Sequence, residues 1–305
     1  MNINPSNPAA RLDPGSSSNQ DSGLNSLDVY TDHDSNLALD NHGHLLSQSA
    51  QRSQDLLAFY RWVTRQTFTV VDVETTGTTA GRNRMIEVSI LQASLADGVQ
   101  TQKTHLLNPG VVVPPRIVNF TGITQEMVDG AEPIAAILPD CLDFLNSGVF
   151  TAHNLKFDYG FLQAEFRRLG IPFSRPLNAQ LCTVKLARLL LADLPSRSLP
   201  YLVKHYGFEV GRSHRAEADT LACWLLAEKL LRQVEQEDDQ TLLARFNQQW
   251  INLGQAAQLL NCLPMQAEAI LAESTVRSRY SKSRKMTLYR CGDVELLAKQ
   301  NVEDS

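Results

Sequence analysis

A chain of 305 residues is long enough for a domain with a well-filled core plus a small second unit, so it needs no disulfide staple to fold. It contains no apolar run of the roughly twenty residues a membrane helix needs and no basic segment leading into an apolar one near its start, which excludes a membrane span and a secretory signal and predicts a cytoplasmic address. Residues 1–50 hold one of the 28 basic residues and six of the 33 acidic ones, so the formal charge of −5 sits there and the remainder is neutral, a balance that leaves nucleic acid open as a partner.

Residues 1–52 are rich in Ser, Asn, Asp, Gly and Pro and poor in large apolar side chains, so burial cannot offset the entropy of ordering and a disordered tail is predicted. His42 and His44 have no further ligand residues around them and read as part of that tail. From Gln54 the pattern changes: Leu56, Leu57, Phe59, Tyr60, Trp62 and Val63 predict an amphipathic helix, and Thr67–Val73 is a β-branched strand. Arg84–Ala93 and Thr101–Leu107 read as two more strands joined by an Asp97-Gly98 turn, which gives a three-stranded meander.

Ile134–Asn146 has a helical pattern, Gly148–Ala152 is a short buried strand, and Phe157–Leu169 is a helix closed by Gly170 and Pro172. A short strand near Ala179–Cys182 precedes three helical stretches, Thr183–Leu191, Ser198–Tyr206 and Ala216–Val234. The order βββαβαβα predicts a mixed α/β domain over residues 53–236, with helices on a central sheet. Residues 237–250 read as a linker, and residues 251–305 as a separate small unit. Five cysteines lie far apart with no C-x-x-C pair, as expected of reduced, packed thiols; Cys223, beside Trp224, reads as core.

The chemistry-bearing residues fall at the edges of these elements. Asp72 and Glu74 are two apart at a strand end, so their carboxylates point the same way and can share a hard cation; a solvated strand end is the plain alternative. Asp158 opens a helix, where an acid is favoured by the macrodipole alone, and His214 and Asp219 sit at the entry to the long helix, where a cap and a first-turn acid would look the same. Together, four acids and a histidine in this order supply what metal-assisted phosphodiester hydrolysis requires. Mg²⁺ or Mn²⁺ takes a few carboxylates plus substrate phosphate, paired ions stabilise the attacking and leaving oxygens, and a neutral imidazole accepts a proton.

Three segments carry a family resemblance: Asp72-Val73-Glu74-Thr75-Thr76-Gly77, Ala152-His153-Asn154-Leu155-Lys156-Phe157-Asp158, and His214-Arg215-Ala216-Glu217-Ala218-Asp219. They resemble the exonuclease motifs of the DEDDh family, and within it the epsilon-type proofreading subunits of bacterial DNA polymerase III. Phe120-Thr121-Gly122-Ile123-Thr124 and Thr183-Val184-Lys185-Leu186-Ala187-Arg188 are similar to that family too, and the likeness runs from about Thr67 to Leu231. The resemblance implies a ribonuclease H-like exonuclease fold and a 3′→5′ exonuclease using two ions. Asp72, Glu74 and Asp219 would hold one ion; Asp72, with Asp158 acting through waters, would hold the second; His214 would be the general base. Thr75, Thr76 and Gly77 would cradle the 3′-terminal nucleotide, with Glu126, His153, Asn154 and Phe157 as further substrate contacts. His153 could equally be structural, and Phe157 core.

In the C-terminal unit, Leu253–Leu260 and Asp293–Lys299 read as helices, and Thr275–Arg290 holds Arg277, Arg279, Lys282, Arg284, Lys285 and Arg290 with no acid, interleaved with Tyr280 and Tyr289. A solvated basic face is one reading; a small helical or winged-helix-like nucleic-acid-binding module is the other. Met286–Arg290 followed by Asp293-Val294 is similar to the end of small DNA-binding modules of the excisionase type or of the eukaryotic XPA repair protein. The leading expectation is an exonuclease acting on single-stranded DNA or 3′ ends in replication proofreading or repair, with a DNA polymerase or repair protein as partner and no membrane. Two alternatives remain: an RNA exonuclease of the oligoribonuclease or ribonuclease T kind, and a module that holds nucleic-acid ends without cutting.

Overall fold

The computed structural model describes residues 52–303. The tail expected over residues 1–52 lies outside that range except for Arg52, which opens a helix. The β-branched run Thr67–Thr75 forms β1, the centre of a five-stranded sheet in which β2 (Met85–Ser94) and β3 (Gly98–Leu106) follow antiparallel on one side, and β4 (Val149–Ala152) and β5 (Gln180–Cys182) run parallel on the other. Because side chains alternate, β1 feeds two cores: Phe68 and Val70 enter a cluster with Trp224, Leu226 and Leu230, while Val71 and Val73 enter one with Phe150, Phe161 and Phe166. Asp72 and Glu74 continue the Phe68 and Val70 side.

The helices cover both faces. On the first lie α1 (Arg52–Val63) and, later in the chain, the helices that follow β5. Between β3 and β4 come α2 (Pro115–Thr121), α3 (Gln125–Asp129), α4 (Ile134–Ile137) and α5 (Leu142–Asn146). One helix was expected over Ile134–Asn146; Pro139, which has no N–H to donate, divides it with a 3₁₀ turn at Pro139–Cys141. The short helices α2 and α3 were not expected, although Pro115 at the start of α2 and the Thr124 cap of α3, which accepts the Met127 N–H, are recognisable start signals.

After β4, α6 (Leu155–Arg168) packs on the second face, and α7 (Thr183–Leu190), α8 (Leu199–Tyr206) and the long α9 (Ala216–Gln236) pack on the first. The buried carboxylate of Glu165 fastens α6 to the start of β2, accepting from Arg84 Nε at 2.9 Å and from the Met85 N–H at 3.3 Å.

Residues 237–250, expected as a linker, contain a docked helix, α10 (Asp239–Asn247). Leu242 and Phe246, four apart, are fully buried in the first core with Leu243 packed beside them, and the Phe246 ring lies 6.0 Å from that of Tyr60 on α1. Beyond it come β6 (Trp250–Ile251), α11 (Leu253–Leu259), α12 (Pro264–Glu273), β7 (Ser278–Ser281), β8 (Met286–Arg290) and α13 (Cys291–Glu303). Helices α11 and α13 fall where Leu253–Leu260 and Asp293–Lys299 were expected to be helical, and β6, β8 and β7 make a three-stranded sheet in that order over a small core of its own. Among the described residues no helix is long and apolar enough to cross a membrane.

Truncating Phe246 would leave a void between α1, α10 and the body, so Phe246→Ala is expected to lower unfolding free energy by about 3–5 kcal/mol in a denaturant titration. A loss below about 1 kcal/mol would show that α10 is a peripheral connector after all.

Candidate active site

The fold converges three chain segments on the end of β1. Glu74, His214 and Asp219 offer ligand atoms that all lie within 4.8 Å of one another. Asp219 stands in the first turn of α9, and its Oδ2 accepts the His214 N–H at 2.9 Å, so the acid and the histidine are fixed to each other. Asp158, in the first turn of α6 and 2% exposed, reaches in from another helix. Its Oδ1 accepts the Val73 N–H at 3.2 Å, past the point where β4 stops pairing with β1. Between Glu74 and Thr75 the register of β1 against β2 shifts, an irregularity that re-aims side chains at the strand end.

Four carboxylates gathered in this way repel one another and are short of water. Burial, then the charges of Asp158, Asp219 and Glu74, push Asp72 well above the usual carboxylate range. Burial and then Asp219 push Glu74 up to about 8. Asp219 is raised by burial to about 6, partly offset by the His214 N–H. Asp158 is likewise raised by burial, against the opposing pull of the Val73 N–H. A cluster of oxygen ligands that resists ionisation until positive charge arrives has the chemistry of a hard divalent-cation site.

A further acid, not singled out from the sequence, holds this arrangement. Glu87 lies on β2 directly across from Glu74 and is 1% exposed. It pairs with Arg215 Nη2 at 2.6 Å and accepts the Ala216 N–H at 2.8 Å, pinning the N-terminus of α9 on which Asp219 rides. The available signal was a lone charge in the apolar strand Met85-Ile86-Glu87-Val88. Phe120 is the other addition. Its ring, 49% exposed, lies 3.7 Å from the His214 imidazole, which is held in a left-handed backbone conformation at φ 64°. Burial and then Arg212 lower the His214 pKa, so the ring is neutral near pH 7. The Arg212 guanidinium fits over Gly122, where a Cβ would meet it at 2.9 Å.

The expected substrate contacts divide. Thr75 and Thr76 are buried beside Glu74, the Thr75 hydroxyl donating to the Gly77 carbonyl at 2.7 Å and the Thr76 hydroxyl accepting the Arg84 N–H at 3.0 Å. Gly77 does not have the positive φ that would demand glycine; it lies against the Asn83 amide, which a Cβ would meet at 2.7 Å and displace. Asn154 takes a left-handed conformation at φ 83° before α6. Of the two readings of His153, the structural one has observed partners: its Nδ1 bonds Thr183 Oγ1 at 2.9 Å and its Nε2 bonds the Arg197 carbonyl at 3.0 Å, and burial lowers its pKa to about 4, so the ring is neutral. Phe157 packs half-buried against Phe161 at 4.9 Å. Glu126 is exposed on α3.

Residues 69–226, just over half the chain, match the RNase T family, described as exonuclease. The chain belongs to this family. Exonucleases of the RNase T and DEDDh kind are phosphodiester hydrolases that use divalent metals. The family region is 30% identical over 185 residues to the PolC-type DNA polymerase III of Clostridium perfringens, covering 61% of this chain and 12% of that one. It is 38% identical over 163 residues to a Mycobacterium tuberculosis protein named as a bifunctional exonuclease/endonuclease, covering 51% and 25%. The chain thus spans an eighth to a quarter of the length of these relatives. Among solved structures it is similar to exonuclease I, with a TM-score of 0.49 and 21% identity over 58% of this chain and 42% of the other.

Raised carboxylate pKa values make a signed prediction. In metal-free protein, the stability linked to Glu74 and Asp219 is present below their unfolded values near 4 and is lost as pH rises through about 6 and about 8. Glu74→Gln is therefore expected to melt above the parent in EDTA, by a margin that grows from pH 5.5 to 8.5 and shrinks on adding Mg²⁺; a margin that narrows with pH would refute this electrostatic account. Glu87→Gln keeps the shape but removes the charge behind Arg215, and a loss of roughly 10-fold in divalent-cation affinity is expected by titration calorimetry. Unchanged affinity would show that the Glu87–Arg215 pair does not position the site.

Proposed function

We propose that this chain is a metal-dependent 3′→5′ exonuclease that removes nucleotides from DNA 3′ ends in proofreading or repair. The observation that carries the reading is the convergence of Glu74, His214 and Asp219 within 4.8 Å, beside Asp72 and Asp158, whose charges act on one another. In this scheme Asp72, Glu74 and Asp219 would hold one Mg²⁺ or Mn²⁺, and Asp72, with Asp158 acting through waters, would hold a second. When bound, the ions neutralise charge that develops on the scissile phosphate. His214, neutral and kept in place by Phe120 and the loop to Asp219, takes the proton of the attacking water. The buried turn Thr75-Thr76-Gly77, braced by Asn83 and Arg84, forms a stiff wall against which the 3′-terminal nucleotide is set.

DNA is favoured as substrate because the PolC-type relatives, DNA polymerases by name, match this region at 30–33% identity. A polymerase or repair protein is the corresponding partner. A reducing, cytoplasmic setting accords with five free cysteines, of which Cys141, Cys223 and Cys291 are buried.

The test is digestion of 3′-recessed, mismatched and single-stranded DNA beside matched RNA, with Mg²⁺ or EDTA. Parent protein is expected to release mononucleotides from DNA only with metal. Asp72→Asn and Asp219→Asn should each lose at least about 10³-fold, and His214→Ala about 10²–10⁴-fold, in kcat. Binding of DNA ends without metal-dependent shortening would refute the enzyme reading, and faster cleavage of RNA than of DNA would move the substrate to RNA.

A further inference from the structure

Ser274–Arg290 carries six basic residues and no acidic one, which leaves the remainder of residues 51–305 with an excess of acids. The nuclease chemistry above uses none of these cations. Arg277 is already engaged by Asp293, with Nη2 to Oδ1 at 2.7 Å and Nε to Oδ2 at 2.8 Å. Arg279 and Arg290 are held differently: their guanidinium carbons lie 4.4 Å and 4.3 Å from the ring of Trp250. The register pairs Trp250 with Arg290 and Arg279 with Leu288, so all of these stand on one side of the β6-β8-β7 sheet. Stacking restrains a planar guanidinium through its face and leaves N–H groups in its plane for an anion. Arg279 is exposed, as are Lys282 and Lys285 on the turn and Tyr280 at 64% exposure.

The helix that precedes the hairpin has the opposite character. Between Pro264 and Glu273, α12 has no basic residue, carries Glu268 and Glu273, and exposes Met265 at 79%. Pushed into a groove flanked by phosphates, it would bring negative charge to negative charge. The hairpin is the phosphate-seeking part of this unit, and it is not on a tether. The Cys291 N–H donates to the Gln249 carbonyl at 2.9 Å, Glu295 accepts the Ser53 N–H at the start of α1 at 2.6 Å, and Gly292 lies so close to α10 that a Cβ would meet Asn247 at 2.8 Å.

We propose that the β7–β8 hairpin, with Arg279 stacked on Trp250 and Lys282 and Lys285 at its turn, is a second polynucleotide-binding surface that grips the phosphate backbone away from the bond being cut. It rests on the nuclease reading for the identity of the polyanion. Exposed Ser278, Ser283 and Thr287 add hydroxyl donors suited to phosphate oxygens, and apart from Tyr280 the hairpin offers no large exposed apolar side chain to enter a membrane. The surface therefore binds long substrates and is indifferent to ones too short to reach it.

The test compares the full chain with its Arg279→Ala/Lys282→Ala/Lys285→Ala variant, both carrying Asp72→Asn. Binding of 3′-labelled single-stranded DNA is read by fluorescence anisotropy in EDTA over a range of salt. For a strand of about forty nucleotides, the expected result is at least about 10-fold weaker binding with the salt slope reduced by about 2; for one of about four nucleotides, no change. In the Asp72 background the triple variant raises KM on the long strand and leaves dinucleotide cleavage unaltered. Replacing the two lysines by arginine retains binding. Undiminished affinity for the long strand overturns the proposal, as does an equal loss on the short one or equally strong competition by poly-glutamate of matched charge. The EDTA arm needs no turnover, so failure of the nuclease reading, seen as absence of digestion, is told apart from failure of the hairpin.

Discussion

Mutual repulsion among buried carboxylates is the constraint around which this molecule is built. Asp72, Glu74, Asp158 and Asp219 oppose one another's ionisation in a setting that burial has already made unfavourable for charge. Such a cluster persists only if rigid elements impose it. Here β1, anchored in cores on both faces, supplies two acids, and the first turns of α6 and α9 supply the others. Helix N-termini offset part of the charge through unpaired N–H groups and the macrodipole.

The local bonding shows how each acid is placed rather than merely allowed. Val73 N–H holds Asp158, His214 N–H holds Asp219, and Glu87 ties the start of α9 to the strand opposite Glu74. The Glu87–Arg215 pair brings a cation to the edge of the cluster but spends it on Glu87, so the remaining acids still lack positive charge. Burial and the nearby Arg212 keep His214 neutral, with its ring against that of Phe120.

The C-terminal unit obeys a different logic. Its small core of Ile251, Ala256, Ala257 and Leu271 is modest, and docking through Glu295, Gly292 and α10 adds the contacts that fix it to the body. An acid-rich helix and a cation-rich hairpin then sit side by side on one scaffold.

Because β-branched runs, helix periodicity and motif spacing are local properties, the sequence by itself determined the meander and the longer helices, and it brought Asp72, Glu74, Asp158, His214 and Asp219 forward as candidate site residues. It also made the basic hairpin visible. Only the tertiary structure decided that Glu87 stands behind Arg215, that Phe120 carries His214, and that both nitrogens of His153 belong to the protein. Each depends on which side chains meet across elements far apart in sequence. The same holds for α10: Leu242 and Phe246, just after an acidic, Gln-rich segment, read as part of a linker until Tyr60, more than 180 positions earlier, gave Phe246 a surface to bury against.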